Sequence, residues 1–155
     1  MTETPANDTP IKAVLEVGQL TKEGVYIGRL KDKKGVEKDY FAAPTDAHYM
    51  SFDAAVKYAK KANHKNYLGH NDWVLPTGWK DKKGAPDVLH AMFNNKAKIG
   101  GFDETGSDPS GYYWSSSPDD YFVNGLKFER FSDGHQDGED KSNCLSVRLV
   151  RSVPV

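Results

Sequence analysis

Asn71-Asp72-Trp73-Val74-Leu75-Pro76 is the stretch on which the organisation of this chain depends. It places three bulky apolar residues in a row between segments that are rich in Lys, Asp and Gly. Pro76 has a fixed φ, and Thr77-Gly78 after it are typical turn residues. We therefore predict a short buried strand that ends at Pro76 and leads into a second helix.

The chain has 155 residues, of which 37% are hydrophobic, and it contains 14 Gly and 8 Pro. This length supports one domain with a single core, which we place at residues 11–155, after a polar tail at residues 1–10. The formal net charge is −1. Proteins that bind nucleic acid through their charge normally have a basic excess, so we predict no nucleic-acid partner.

The first ten residues contain no basic segment followed by an apolar run. No stretch approaches the ~18 apolar residues that a membrane-spanning helix needs. We therefore expect synthesis in the cytoplasm without a signal peptide, and no membrane span. The single cysteine, Cys144, has no partner for a disulfide within the chain, and we predict that it is a small buried residue in a strand.

Two helices are predicted. The first has Ser51 as its N-cap, and its apolar face consists of Phe52, Ala55, Val56, Ala59 and Ala62. The second helix begins at Pro86 and ends at Asn94-Asn95, with His90 at its surface.

Alternating apolar and polar residues predict short strands within residues 11–17, 25–30, 40–43, 112–116, 121–131 and 145–150. Residues 100–111 are predicted to be irregular, and residues 132–143 to be a polar loop.

Trp73 and Trp114 are predicted core residues. Arg148 and Arg151 either pair with acidic loop residues, or one of them is a buried structural cation. The pattern predicts an α+β fold with two helices, a small antiparallel sheet and a long loop-rich C-terminal half.

Three motifs carry a resemblance to a known family. They are Asn-Asp-Trp-Val-Leu-Pro-Thr at residues 71–77, Tyr-Trp-Ser-Ser at residues 113–116 and Val-Arg-Leu-Val-Arg at residues 147–151. Their order resembles the domain of unknown function at the C-terminus of bacterial collagen-like adhesins (the Lcl C-terminal domain), which also has stand-alone copies in phages and prophages. The resemblance covers the chain roughly from Val17 to Ser152.

The resemblance implies a C-type lectin-like fold, in which a long loop region carries recognition, and it implies no established catalytic chemistry. Better-known adhesin members of the family bind sulfated polysaccharide or host surfaces. This chain differs from them, because it has no collagen-like repeat and no basic excess. The resemblance also implies a phage, prophage or bacterial origin, with a virion as one expected location.

The ligand-binding residues are predicted between residues 112 and 143, where aromatic and small polar residues alternate as they do in antibody binding loops. The predicted contact residues are Tyr112, Tyr113, Asp119, Asp120, Tyr121, Asn124, Asp133 and His135.

The polar loop also offers carboxylates to a metal ion. The candidate ligands for Ca²⁺ are Asp133, Asp137, Glu139 and Asp140. Their spacing does not match an EF-hand, and a solvated acidic loop explains them as well. We therefore predict no metal or other cofactor, with Ca²⁺ as the alternative.

The sequence contains no Gly-x-Ser-x-Gly motif, and its five His show no zinc spacing. We therefore favour a non-enzymatic recognition domain that binds a protein or glycan through residues 112–143. The alternative is a structural or assembly protein of the virion type, which would use the fold as a rigid oligomerising block. An enzyme, the third hypothesis, would require a bound metal or a reactive thiol.

Overall fold

A computed structural model describes residues 14–121 and 123–155. The tail predicted at residues 1–10 and part of the strand predicted at residues 11–17 lie outside the described residues. The described residues form nine strands and three α-helices. The strands are β1 Leu20–Thr21, β2 Gly24–Lys31, β3 Glu37–Ala42, β4 Ala47–Met50, β5 Tyr112–Pro118, β6 Gly125–Arg130, β7 Gln136–Asp140, β8 Leu145–Val147 and β9 Val150–Pro154. The helices are α1 Phe52–His64, α2 Val88–Asn94 and α3 Lys96–Ile99.

The strands form two sheets. The four-stranded sheet has the order β1-β2-β3-β9 and the five-stranded sheet the order β4-β8-β5-β6-β7. Neighbouring strands are antiparallel, except that β5 and β8 are parallel where Tyr113 lies opposite Ser146. The predicted α+β class is confirmed. The predicted single small antiparallel sheet is wrong, because the strands form two sheets and one pair of strands is parallel.

The helices follow their capping signals. Ser51 accepts a hydrogen bond from the backbone N–H of Ala54, as expected for an N-cap. The second helix begins later than Pro86, because Asp87 is its N-cap and accepts from the N–H of His90 at 2.9 Å. The short helix α3, which was not predicted, follows directly after Asn95.

Trp73 lies in the core with 0% of its surface exposed, but its segment is not a strand. Its backbone N–H donates to Asn63 Oδ1 at 2.7 Å, and its carbonyl accepts from Asn63 Nδ2 at 2.9 Å. A side chain at the end of α1 therefore occupies the backbone groups that a sheet partner would use. Within the segment, only an isolated bridge between Val74 and Val150 has the geometry of a sheet.

The buried apolar residues form two clusters. One contains Trp73 and Trp114 with residues of α1, β6 and β8. The other lies between the four-stranded sheet and α2, and includes Tyr40, Leu89, Met92 and Tyr113. Both tryptophans are fully buried, so their predicted core positions are confirmed.

The strand predicted at residues 145–150 is two strands in different sheets. The chain leaves β8 at Val147 and enters β9 at Val150, so Arg148 lies at the crossing between the sheets. Arg148 pairs with Asp46, while Arg151 pairs with Asp72 and Glu23. Both arginines are buried and paired, although none of these acids belongs to the predicted acidic loop.

Two other predicted segments differ from the structure. Residues 14–17 are not a strand, and the chain turns at Gly18, whose φ is +89. A Cβ on Gly18 would lie 2.3 Å from the carbonyl oxygen of Lys98, so only glycine fits there. The polar loop predicted at residues 132–143 contains β7, because its backbone pairs with β6 from Gln136 to Asp140.

Candidate functional site

The predicted contact residues lie on a meander formed by β5, β6 and β7. Asp119, Asp120, Tyr121 and Asn124 belong to the turn between β5 and β6, and we call its described residues, 119–121, 123 and 124, the hairpin tip. Asp133 and His135 belong to the turn between β6 and β7, at the other end of β6. Six residues of strand separate the two turns, which corresponds to about 17 Å. The structure therefore does not unite the predicted residues in one site.

Tyr113 is fully buried, so its prediction as a ligand contact is wrong. Its hydroxyl donates to Asp46, and it accepts from the backbone N–H of Asp103 at 2.6 Å. Burial and the hydrogen bond to Asp46 raise the pKa of Tyr113 far above its usual value. Tyr113 therefore holds the irregular segment after α3 against the core.

Tyr112 faces the opposite side of the sheet and is half-buried. Its ring stacks on Phe128 with centroids 5.0 Å apart and an angle of 8° between the planes. The guanidinium of Arg130 lies 6.0 Å from the same ring. The ring of Tyr112 is thus partly covered by residues of the meander.

Asp133 and His135 are exposed at the turn between β6 and β7. Asp133 accepts hydrogen bonds from Nε and Nη2 of Arg130, and these bonds hold the pKa of Asp133 well below its usual range. His135 Nε2 lies 3.6 Å from Asp137 Oδ2. The charge of Asp133 is therefore already compensated within the turn.

The hairpin tip is the part of the meander that most exposes apolar surface. Tyr121 is 94% exposed and Val123 is 102% exposed. The carboxylate of Asp120 lies 3.7 Å from Lys82 Nζ and 3.9 Å from the amine of Lys127. The tip thus combines two uncovered apolar side chains with acidic neighbours.

The candidate Ca²⁺ ligands do not form a common site. Glu139 accepts from the side chain of Asn143 at 2.7 Å, and Asp140 accepts from the hydroxyl of Ser142 at 2.6 Å. Asp133 is engaged by Arg130 in the preceding turn. Across residues 14–121 and 123–155, no three His, Cys, Asp or Glu side chains are grouped so that they could hold a metal ion.

Sequence reasoning missed a polar cluster between α2 and the meander. Glu129 is fully buried, and its Oε2 lies 2.7 Å from His90 Nδ1. Gln136 Nε2 donates to Glu129 Oε1 and to Asp87 Oδ2, both at 3.1 Å. His90 is therefore a half-buried partner of Glu129, which corrects its predicted surface position.

Burial raises the pKa of Glu129 to about 7, while the hydrogen bond from His90 opposes the rise. Burial likewise raises the pKa of Asp87. The prediction failed because Leu126 and Phe128 indicated one buried face of β6, whereas Lys127 and Glu129 on its other face are also buried. A strand of alternating polarity does not reveal that a helix covers its polar face.

Lys127 shows the same pattern of a buried polar group with partners. Its amine donates to the carbonyls of Trp79 and Lys80 at 2.6 and 3.0 Å. Ser117 donates to Asp81 Oδ2 at 2.6 Å. The polar face of the sheet therefore fixes the loop between Gly78 and Asp87.

Cys144 is exposed, so its predicted burial is wrong. The buried face of β8 begins only at Leu145, and Cys144 belongs to the turn that leads into it.

No helix of the described residues is long and apolar enough to span a membrane. Comparison with protein-family models and with curated proteins finds no match.

Proposed function

We propose that this protein is a non-enzymatic recognition domain that binds a protein or glycan ligand through the hairpin tip. The observation that carries the proposal is the exposure of Tyr121 and Val123, at 94% and 102%. Single exposed apolar residues are common on protein surfaces. Two large ones in one short turn are a cost in water that a bound partner would remove.

The chemistry of the tip suits recognition. A tyrosine supplies a rigid apolar contact with a polar end, and residues of this type dominate the binding energy of many interfaces. Asp119, Asp120 and Asn124 provide a polar rim around it. The tip is held at both ends, because Asp119 N–H donates to Gly125 O and Lys141 N–H to Asn124 O, each at 3.0 Å. The two ends of the tip therefore lose little conformational entropy on binding.

Within the α+β class, we propose that the fold is C-type lectin-like. We also propose that the protein has a phage or prophage origin. The three motifs of the resemblance support this fold, because Trp73, Trp114 and Val147 belong to the same buried cluster. We propose no catalytic role for His90 and Glu129. Glu129 is enclosed, and His90 and Gln136 satisfy both of its oxygens, as in a structural network.

A glycan microarray and a phage-displayed peptide library, each screened with the full chain, test the proposal. The double variant Tyr121→Ser/Val123→Ser should weaken every selected ligand by at least about tenfold, as expected for loss of an interface anchor. The control Asp133→Ser/His135→Ser alters the far turn and should leave binding unchanged. Failure of the native chain to select any ligand, or equal losses in both variants, would overturn the proposal.

A second copy of the chain would also cover Tyr121 and Val123, which would favour the assembly function. Light scattering over a range of concentrations separates the two functions. A stable oligomer that becomes monomeric in the Tyr121→Ser/Val123→Ser variant would favour an assembly block. A native monomer whose glycan or peptide binding depends on these residues would favour recognition.

A further inference from the structure

A cleft of about 630 Å³ lies where the four-stranded sheet meets the loop before α2. Its apolar lining includes Val74, Leu75, Val88 and Val150. Val74 is 53% exposed although its backbone pairs with that of Val150 in the isolated bridge. This volume lies within the range of small-molecule sites, which is about 300–1,000 Å³.

Tyr40 places a hydroxyl at this cleft. The residue is only 8% exposed, and its ring belongs to the core beneath α2. Within the described residues the hydroxyl has no hydrogen-bond partner, and the one orphaned buried side-chain nitrogen or oxygen is Nη1 of Arg148. The Tyr40 oxygen therefore keeps access to the cleft that the residue lines. It can donate a hydrogen bond to a bound group.

The rim of the cleft is basic. Four lysines line it, against two aspartates: Lys33, Lys38, Lys82 and Lys83 against Asp32 and Asp81. Lys38 pairs with Asp32 at 3.3 Å, and Asp81 is engaged by Ser117. The amines of Lys33 and Lys83 form no ion pair with any described residue, so their charges are available to a ligand.

Both walls of the cleft are held in place. In the turn after β2, Asp32 Oδ1 accepts from the N–H groups of Lys34 and Val36 at 2.8 and 2.9 Å. The facing loop is fixed by Lys127 and Ser117. The two walls approach closely, since a Cβ on Gly84 would lie 3.9 Å from Lys33 Cβ. A cleft formed by fixed walls requires little reorganisation on binding.

We propose that this cleft binds a small aromatic carboxylate, with its ring on the exposed side chain of Val74 and its carboxylate between Tyr40 and the amines of Lys33 and Lys83. The apolar floor excludes a fully hydrated inorganic anion as the best ligand, because the floor would remain uncovered. The basic rim disfavours cations. Tyr121 and Val123 do not line the cleft, so binding here is independent of the hairpin tip.

The probes for the test are indole-3-acetate and its neutral counterpart, indole-3-acetamide, titrated into the ¹⁵N-labelled full chain by NMR. We expect indole-3-acetate to shift the amide signals of Val74, Thr77 and Val150. The amide should bind at least about tenfold more weakly, as expected when a charge-assisted hydrogen bond is lost. No shift at these residues with either probe up to millimolar concentration would overturn the proposal.

Variants assign the roles within the cleft. Tyr40→Phe removes only the hydroxyl and should weaken indole-3-acetate several-fold, with a smaller effect on indole-3-acetamide, whose carbonyl accepts a neutral hydrogen bond. Lys33→Gln/Lys83→Gln removes two amines and should weaken indole-3-acetate several-fold and leave indole-3-acetamide unchanged. Lys57→Gln/Lys60→Gln, on the exposed side of α1, is the charge-matched control and should bind normally. Tyr121→Ser/Val123→Ser should also bind normally, which separates this site from the hairpin tip. Equal weakening in the Lys57→Gln/Lys60→Gln control, or none in Tyr40→Phe, would contradict the assignment.

Discussion

Arg148 Nε lies 2.7 Å from Asp46 Oδ1, although the two residues are 102 positions apart in the chain. Both side chains are closed to solvent. The guanidinium also donates to the carbonyl of Gly100 at 2.8 Å and lies 4.1 Å from the centre of the Phe102 ring. This one cation therefore connects the crossing between the sheets to the segments before β4 and after α3.

Arg148→Gln should lower the free energy of unfolding by about 3–5 kcal/mol, because it leaves the buried carboxylate of Asp46 without its cation. Burial already raises the pKa of Asp46. Urea unfolding followed by tryptophan fluorescence measures the change. Arg29→Gln is the control, because the ion pair of Arg29 with Asp39 is more exposed to solvent. A similar loss of unfolding free energy in both variants would show that the buried pair of Arg148 with Asp46 contributes no more stability than an exposed pair.

Glu129 should make stability fall as pH rises. Its pKa in the folded protein is raised from 4.5 to about 7. A group with a raised folded pKa contributes its full stability below the unfolded value and loses it as pH rises through the folded one. The loss of stability should therefore occur between about pH 4.5 and pH 7. Glu129→Gln should remove this pH-dependent loss, which is on the order of 3 kcal/mol.

Thermal unfolding at several pH values measures this dependence. Glu37→Gln, which removes the same charge from an exposed position on β3, is the control and should keep the native profile. His90 and Gln136 contact Glu129 directly, and Asp87 raises its pKa further through charge repulsion. A Glu129→Gln profile that parallels the native one would contradict the expected titration.

Asn63→Ala should destabilise the protein by about 2 kcal/mol, because the backbone N–H and carbonyl of Trp73 would both lose their partner. Tryptophan fluorescence reports the same site, since Trp73 Nε1 donates to the carbonyl of Tyr67 at 2.9 Å. Asn94→Ala, at the exposed end of α2, is the matched control. Equal stability of the two variants would mean that the side chain of Asn63 is dispensable.

Cys144 should react with a thiol reagent in the native protein to about one equivalent, because it is exposed and is the only cysteine. Absorbance of the released aromatic thiolate measures the reaction. Cys144→Ser should abolish it without lowering the melting temperature. Reaction that starts only after denaturant is added would show instead that Cys144 is enclosed.

Much of the candidate site could not be predicted, for reasons that individual residues make clear. Tyr112 and Tyr113 are neighbours of the same type in the sequence, yet one faces the meander surface and the other is fully buried. Which of two consecutive strand residues is enclosed depends on what covers each face of the sheet. Asp133 was separated from Tyr121 by only twelve positions, but β6 places them at opposite ends of a strand.

By itself, the sequence determined the local features of this protein. Ser51 begins α1, and the apolar face of α1 follows from its spacing, because capping and hydrophobic periodicity act over a few residues. Only the tertiary structure decided that Arg148 reaches Asp46, that Glu129 is enclosed beneath α2, and that Tyr40 opens into a cleft. These contacts join segments from distant parts of the chain, and their partners are chosen by how the sheets and helices pack, which no local pattern specifies.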